Sequence, residues 1–415
     1  MSYFDFINTI AFSRVSGSIE ENRCGKIIYN EALSLGLKTS LMSFLVNSYY
    51  RGESFLEINN KKYSGISLGN SLSTDELGIE GEIVFLETFD AARMINVKDK
   101  ICMIPNRFVD FKYYMYLINN NAKGLVFCDG SIVDSDSSVD DIDVYNFKER
   151  YYKFGDIPAL CIRTVDFNEI INILPRSGRL VSIISNEVGA SYNIISEITG
   201  NKYPDEIIVI SAHYDSVRNS VGAYDNGSGV AALFEISKFF LKNTPKRTIK
   251  FIWCGSEEAG LLGSKAFLKE NELELYKYVL NINIDMLGVT IGSNKAFVIG
   301  DNALASFLDY YSKIEGYPLD VNNTIFKSDS IMFADKEIPS VSFTRFSSIN
   351  GLEIHSRRDV IGFLDERTFI NNVIFIVKFT EYIANAALFP VEKYIPLRLK
   401  EDLDIFIGRK KNRVE

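Results

Sequence analysis

Apolar positions recur with different periods along the chain, and the changes of period divide it. Over residues 25–37, Ile27, Ile28, Ala32, Leu33 and Leu35 form a broad face of helical spacing, which predicts an amphipathic helix stopped by Gly36. From about 81 to 185 short apolar runs take over. The stretches 82–87, 100–104, 123–128, 157–162 and 180–185 read as strands, with one helical stretch at 111–119 and a Ser/Asp-rich loop at 129–143 that reads as a solvated excursion. After residue 189 strand and helix alternate. Ile207, Ile208, Val209 and Ile210 make a continuous β-branched run, the pattern of a strand buried on both faces, and 229–241 follows as a helix. Further strands are predicted at 249–253, 278–284, 296–299 and 338–343, and helices at 261–269, 303–314 and 366–387. The pattern is that of an α/β protein whose main domain is built from 1–64 and 186–388, interrupted by a β-rich insert over 65–185. Pro390, Pro396 and the charged end predict a C-terminal extension, 389–415, that leaves the sheet.

A chain of 415 residues has room for two or three compact units, and 47% hydrophobic with 24% charged residues is the balance of a folded globular protein. Lys plus Arg number 45 against 54 Asp plus Glu, a net charge of −9, and no basic cluster is long enough to follow a phosphate backbone, so nucleic acid is not an expected partner. No membrane-spanning apolar run and no basic leader is read, so neither a membrane partner nor a signal peptide is expected. Cys24, Cys102, Cys128, Cys161 and Cys254 are scattered, with no CxxC pair, which suits a reducing compartment. Together these set the expectation of a cytoplasmic protein.

The most informative count is two histidines, His213 and His355. Open α/β sheets carry their functional groups beyond the carboxyl ends of the strands, and metal-type donors follow one predicted strand after another. His213 and Asp215 follow the first, and Asp225 sits in Gly222-Ala223-Tyr224-Asp225-Asn226-Gly227-Ser228-Gly229, which opens the next helix. Glu257 and Glu258 follow the strand ending at Trp253, Asp285 ends the strand 278–284, and His355 lies in a late loop, Glu353 to Asp359. Singly these are weak: Asp-Asn-Gly-Ser-Gly is more often a turn, and an exposed Glu pair more often a solvated face. Jointly, two imidazoles with Asp225, Glu258 and Asp285 are N and O donors that suit Zn²⁺ in a catalytic site. Five donors exceed the needs of one ion. A bridging carboxylate would give two ions three protein donors each and leave room for a shared water. Asp215, two residues beyond His213, is placed to orient its imidazole.

In order and content these blocks, with Asn283-Ile284-Asp285-Met286 and Ile354-His355-Ser356-Arg357-Arg358-Asp359, resemble those of the zinc-dependent aminopeptidase family that includes aminopeptidase Y and the bacterial leucyl aminopeptidases. Residues 193–200 and Arg14-Val15-Ser16-Gly17-Ser18 are similar to further parts of it, and 122–127 with 157–160 resemble the protease-associated domain that some members carry inserted. The resemblance implies a mixed central sheet flanked by helices, of the zinc exopeptidase type, and two zinc ions. Asp225 would bridge them, with His213 and Asp285 on one and Glu258 and His355 on the other. Glu257 falls at the general acid/base for hydrolysis of the N-terminal peptide bond of a peptide with a free N-terminus by a metal-bridged hydroxide, and Asp215 at the supporting aspartate. It also predicts a cis bond between Asp225 and Asn226. The sequence departs from the family where a tyrosine often precedes Ser-Asp and a histidine follows. Here Ile325 and Phe326 precede Ser328-Asp329, and Ser330 follows. The glutaminyl cyclases share the resemblance but use one zinc for an acyl transfer, and a non-catalytic binding protein would have lost donors that this chain keeps. Carboxypeptidase activity stays open within the family: Arg345 could bind a substrate carboxylate, although it reads rather as a packing or surface residue.

Overall fold

The computed structural model describes residues 3–410 except 135, 144, 174, 349–351 and 353, so Glu353 and the charged end 411–415 lie outside the described residues. Two compact units are formed, one by residues 3–46 and 189–410 and the other by Asn47–Val188.

The first unit is organised by the strand Tyr203–His213. Its apolar run pairs in parallel with Arg247–Cys254 on one side and Tyr278–Ile284 on the other, so both edges are hydrogen-bonded and Ile208, Val209 and Ile210 are fully buried. The eight-stranded sheet runs in the order Lys38–Arg51, Ile184–Ile198, Arg247–Cys254, Tyr203–His213, Tyr278–Ile284, Ser340–Ser347, Gly292–Ile299, Asp320–Asn322. The three central strands and Ser340–Ser347 are parallel, whereas Ile184–Ile198 runs against Arg247–Cys254 and Gly292–Ile299 against Ser340–Ser347, with Asp320–Asn322 parallel to Gly292–Ile299. This is a mixed sheet, as expected.

Helices lie where capping chemistry starts them. Asp365 accepts from Thr368 N at 2.8 Å and opens Glu366–Ala384, and Asp301 does the same for Asn302–Ile314. The first long helix begins at Ile19 rather than residue 25, because the Ser18 hydroxyl accepts from Glu21 N at 3.0 Å, a cap the apolar spacing alone does not reveal. Among the described residues no helix is long and apolar enough to cross a membrane.

The second unit closes a barrel in the order Ser54–Ile58, Lys61–Ser67, Ala159–Arg163, Gly124–Asp129, Ile101–Met103, Ile79–Phe85, Ser177–Val181. It takes in a hairpin upstream of residue 65, where the sequence reading starts the insert. The hairpin turns at Asn59 and Asn60, whose φ values of 53° and 63° are the pair a two-residue turn requires. At the other end, the expected extension 389–415 carries a helix, Leu397–Phe406, that returns to the first unit. Leu399 and Leu403 are buried in one cluster with Phe267, Ile331 and Phe333.

Beneath the sheet, Phe234 stands on the helix Ser228–Lys242 with no exposed surface, its ring 4.7 Å from Trp253, 4.9 Å from Tyr3 and 5.1 Å from Phe6. Phe234→Ala leaves a cavity these rings cannot fill, so the variant should lose about 3–5 kcal/mol; a lower urea midpoint at unchanged slope is the expected measurement.

Candidate metal centre

The carboxyl edge of the sheet brings the donors together. His213 is the last residue of its strand, Asp285 follows Ile284 directly, and Glu257 and Glu258 follow the strand ending at Cys254. Asp225 arrives on the loop into the helix Ser228–Lys242, and its peptide bond to Asn226 is cis. Glycine is required at the start of that loop. Gly222 has φ 55°, and a Cβ there would stand 2.6 Å from the Asp225 carbonyl oxygen and 2.8 Å from Ser216. Two side chains then fix Asp225. Asp359 accepts from Tyr224 N at 2.6 Å and from Asp225 N at 3.1 Å, while the Asn226 amide donates to Ile284 O at 2.9 Å and accepts from Met286 N at 3.1 Å. Asn226 thereby locks the loop of Asp225 to the strand end that carries Asp285.

Asp225 faces two imidazoles at once. Oδ1 lies 3.2 Å from His213 Nε2 and Oδ2 lies 3.3 Å from His355 Nε2. Asp285 Oδ1 approaches His213 Nε2 to 3.5 Å, and Glu258 Oε1 approaches His355 Nε2 to 3.1 Å. Two three-donor sets result, His213/Asp225/Asp285 and Asp225/Glu258/His355, with the donor atoms of each set within 4.8 Å of one another. The first is buried and the second half-buried: the His213 side chain is 2% exposed and that of His355 36%.

The surrounding polar groups orient these donors. Asp285 Oδ2 accepts from the Ser328 hydroxyl at 2.7 Å, the last link of a buried relay in which Asn281 donates to Ser211, Ser211 to Asn283, and Asn283 to Ser328. The other oxygen, Oδ1, is buried without a hydrogen-bond partner and points at the donor set. Asp215 Oδ1 stands 3.4 Å from His213 Nδ1, but its well-formed bonds go to the backbone: Oδ1 accepts from Glu257 N at 2.9 Å and Oδ2 from Glu258 N at 3.0 Å. Glu257 itself is half-buried beside Glu258. Asp329 is fully buried with neither carboxylate oxygen hydrogen-bonded. Tyr224 hands its hydroxyl to Arg345 O at 2.6 Å, and Phe326, which has no hydroxyl to offer, stacks on Phe297 at 4.9 Å.

The electrostatics of this cluster call for a cation. Burial pushes Glu258 up to about 7, with Asp225 adding to the rise, and raises Glu257 well above the carboxylate range, with Glu258 and Asp329 adding. Burial opposes charging of His355, yet Asp225 and Glu258 hold it up at about 11; His213 is likewise raised against burial by Asp215, Asp225 and Asp285. The site thus collects protons to balance its carboxylates, and a divalent ion accepting N and O donors does the same with better geometry. The residues fit such an ion.

Residues 193–380 match the profile of Peptidase family M28. All five donors lie within the matched segment, as do Glu257 and Asp215. Among curated proteins, carboxypeptidase Q of Mus musculus is 26% identical over 328 residues, 74% of this chain and 68% of that protein. Aminopeptidase YwaD of Bacillus subtilis is 27% identical over 293 residues, 67% of this chain and 59% of that protein. Among solved structures, a zinc aminopeptidase from Bacillus subtilis superposes with a TM-score of 0.79 at 20% identity, covering 96% of this chain and 98% of that one, a likeness of fold. The expected resemblance to bacterial aminopeptidases therefore stands.

Asn226, Ser328 and Asp359 are part of the site although the sequence, which places each in or beside a motif block, assigns them no role of their own. Arg14 had none. It is fully buried and donates to the carbonyls of Tyr214 at 2.6 Å and Gly222 at 3.0 Å, and to those of Ile10, Phe12 and Val221, holding the loop between His213 and Asp225. Arg345, the one cation considered for a substrate carboxylate, is tied to Val289 O, Asn294 and Thr290 O.

Metal ligation requires neutral imidazoles, and both are raised above neutrality without an ion, so loading must expel protons. Zn²⁺ titrated into the metal-free chain at pH 7 should release about one to two protons, read from calorimetric heats in buffers of different ionisation enthalpy, and apparent affinity should rise with pH. Buffer-independent heats would place the ion elsewhere.

Proposed function

We propose that this chain is a dizinc aminopeptidase. The observation that carries the reading is Asp225, whose two oxygens serve two histidines and so complete two three-donor sets. In this reading Asp225 bridges the ions, with His213 and Asp285 on one and Glu258 and His355 on the other. When bound, such ions polarise a carbonyl and lower the pKa of a nearby water. The chain's own groups do the rest. Glu257 takes the proton of the attacking water and returns it to the leaving amine, the role for which a carboxyl raised by burial is suited. Asp215 holds Glu257 and Glu258 in place through their backbone N–H groups.

Charge favours the amino end of a peptide. Asp215, Asp225, Glu257, Glu258, Asp285, Asp329 and Asp359 crowd this edge with carboxyl groups, an acidic surrounding that suits an ammonium better than a carboxylate. Arg345 is already committed to carbonyl groups, so the feature that favoured a carboxypeptidase is spent. A single-zinc cyclase would leave one donor set without a purpose. The barrel unit Asn47–Val188 is, in the same reading, a protease-associated-like insert; both donor sets lie in the other unit.

Two neighbouring substitutions test the assignment. Glu257→Gln removes the proton acceptor but no ligand, so zinc content should hold at about two per chain while kcat on aminoacyl reporter substrates falls at least ~10²-fold. Glu258→Gln should lower zinc content instead, with activity partly regained on adding metal. Loss of metal in the first variant and retention in the second would reverse the two roles.

A further inference from the structure

Glu21 lies on the first long helix, more than 230 residues before the metal-site loop it touches, and has no exposed surface. Its Oε1 accepts from Ser256 N at 2.9 Å, the Ser256 hydroxyl at 2.9 Å and the Ser191 hydroxyl at 2.8 Å; Oε2 accepts from Gly17 N at 2.6 Å. Ser16 completes the cluster by donating to the Ser256 hydroxyl at 2.6 Å.

Ser256 directly precedes Glu257 and holds φ at 56°, a conformation that a non-glycine residue adopts only under constraint. The amides of Ser256, Glu257 and Glu258 are therefore all captured by carboxylates, the first by Glu21 and the next two by Asp215. Glu21 does not sit there without cost. Burial, and then the charge of Asp215, push Glu21 up to about 8. A carboxylate held against desolvation and like charge, on four donors, is well suited to fixing backbone and ill suited to mere packing.

We propose that Glu21 is a positioning residue for Glu257: by clamping the strained Ser256 turn it sets the direction in which the Glu257 carboxyl leaves the backbone. Displacement of about 1 Å in a catalytic group is enough to cost a large factor in rate, whereas zinc and peptide binding use other side chains. The inference rests on the aminopeptidase reading for its kinetic arm only.

The test compares the zinc-loaded full chain with Glu21→Gln, which keeps the size of the side chain but replaces one acceptor oxygen by an NH2 donor, so that the two hydroxyls and two amides can no longer all find an acceptor. Expected are unchanged zinc content, KM within about twofold, a kcat about tenfold lower, and faster amide exchange confined to the segment around Ser256–Glu258. Full kcat, or a kcat loss without faster exchange there, overturns the proposal. Should Glu21→Gln fail to fold, Ser191→Ala removes one of the four bonds and should give the same pattern on a smaller scale, with KM unmoved; a change in KM alone overturns it. A wild-type chain that binds two zinc ions yet hydrolyses no aminoacyl substrate sinks the proposed reaction instead, and the exchange measurement still decides whether Glu21 holds the turn.

Discussion

Everything at the carboxyl edge of the sheet answers to the repulsion between carboxylates held within a few ångströms of one another. Asp225 can face both His213 and His355 only because its backbone is fixed from two sides, by Asp359 through N–H groups and by Asn226 through its neighbour strand. Left to themselves, such acids would move apart or take up protons. The fold prevents the first, and the raised positions of Glu257, Glu258 and Asp359 show the second.

The supporting groups divide by what they hold. Asp215, Glu21 and Asp359 hold backbone N–H groups, Arg14 holds carbonyls, and the relay from Asn281 to Ser328 holds a donor directly. Using acids for amides and a guanidinium for carbonyls lets irregular loops be buried without orphaned peptide groups, which a loop at a sheet edge would otherwise expose. The buried charges are thus part of how a rigid site is made from loop backbone.

How much of this was legible depends on where each residue's partners lie. The strand Tyr203–His213 and its neighbours announce themselves, because burial on both faces demands unbroken apolar runs, and the donors at their ends stand out because imidazole is rare in this chain. The edge strand Lys38–Arg51 does not: only Val46 is buried, so no alternation marks it. The hairpin before residue 65 rests on Asn59-Asn60, and the last helix on Leu399 and Leu403, signals of two residues each. Arg14 and Glu21 were illegible as site residues for a plainer reason. Their partners are peptide groups some two hundred residues away, which no local pattern encodes.

That separation also governs when the site comes into being. On a ribosome Arg14 and Glu21 emerge early, the loops they hold only after residues 214–222 and 256 are made, and His355 last of all. A nascent chain therefore carries braces with nothing to brace until Tyr214 is made, and an incomplete donor set until His355 is made. The centre assembles only once nearly the whole polypeptide has been made, so the growing chain is kept free of a competent copy of its own cleft.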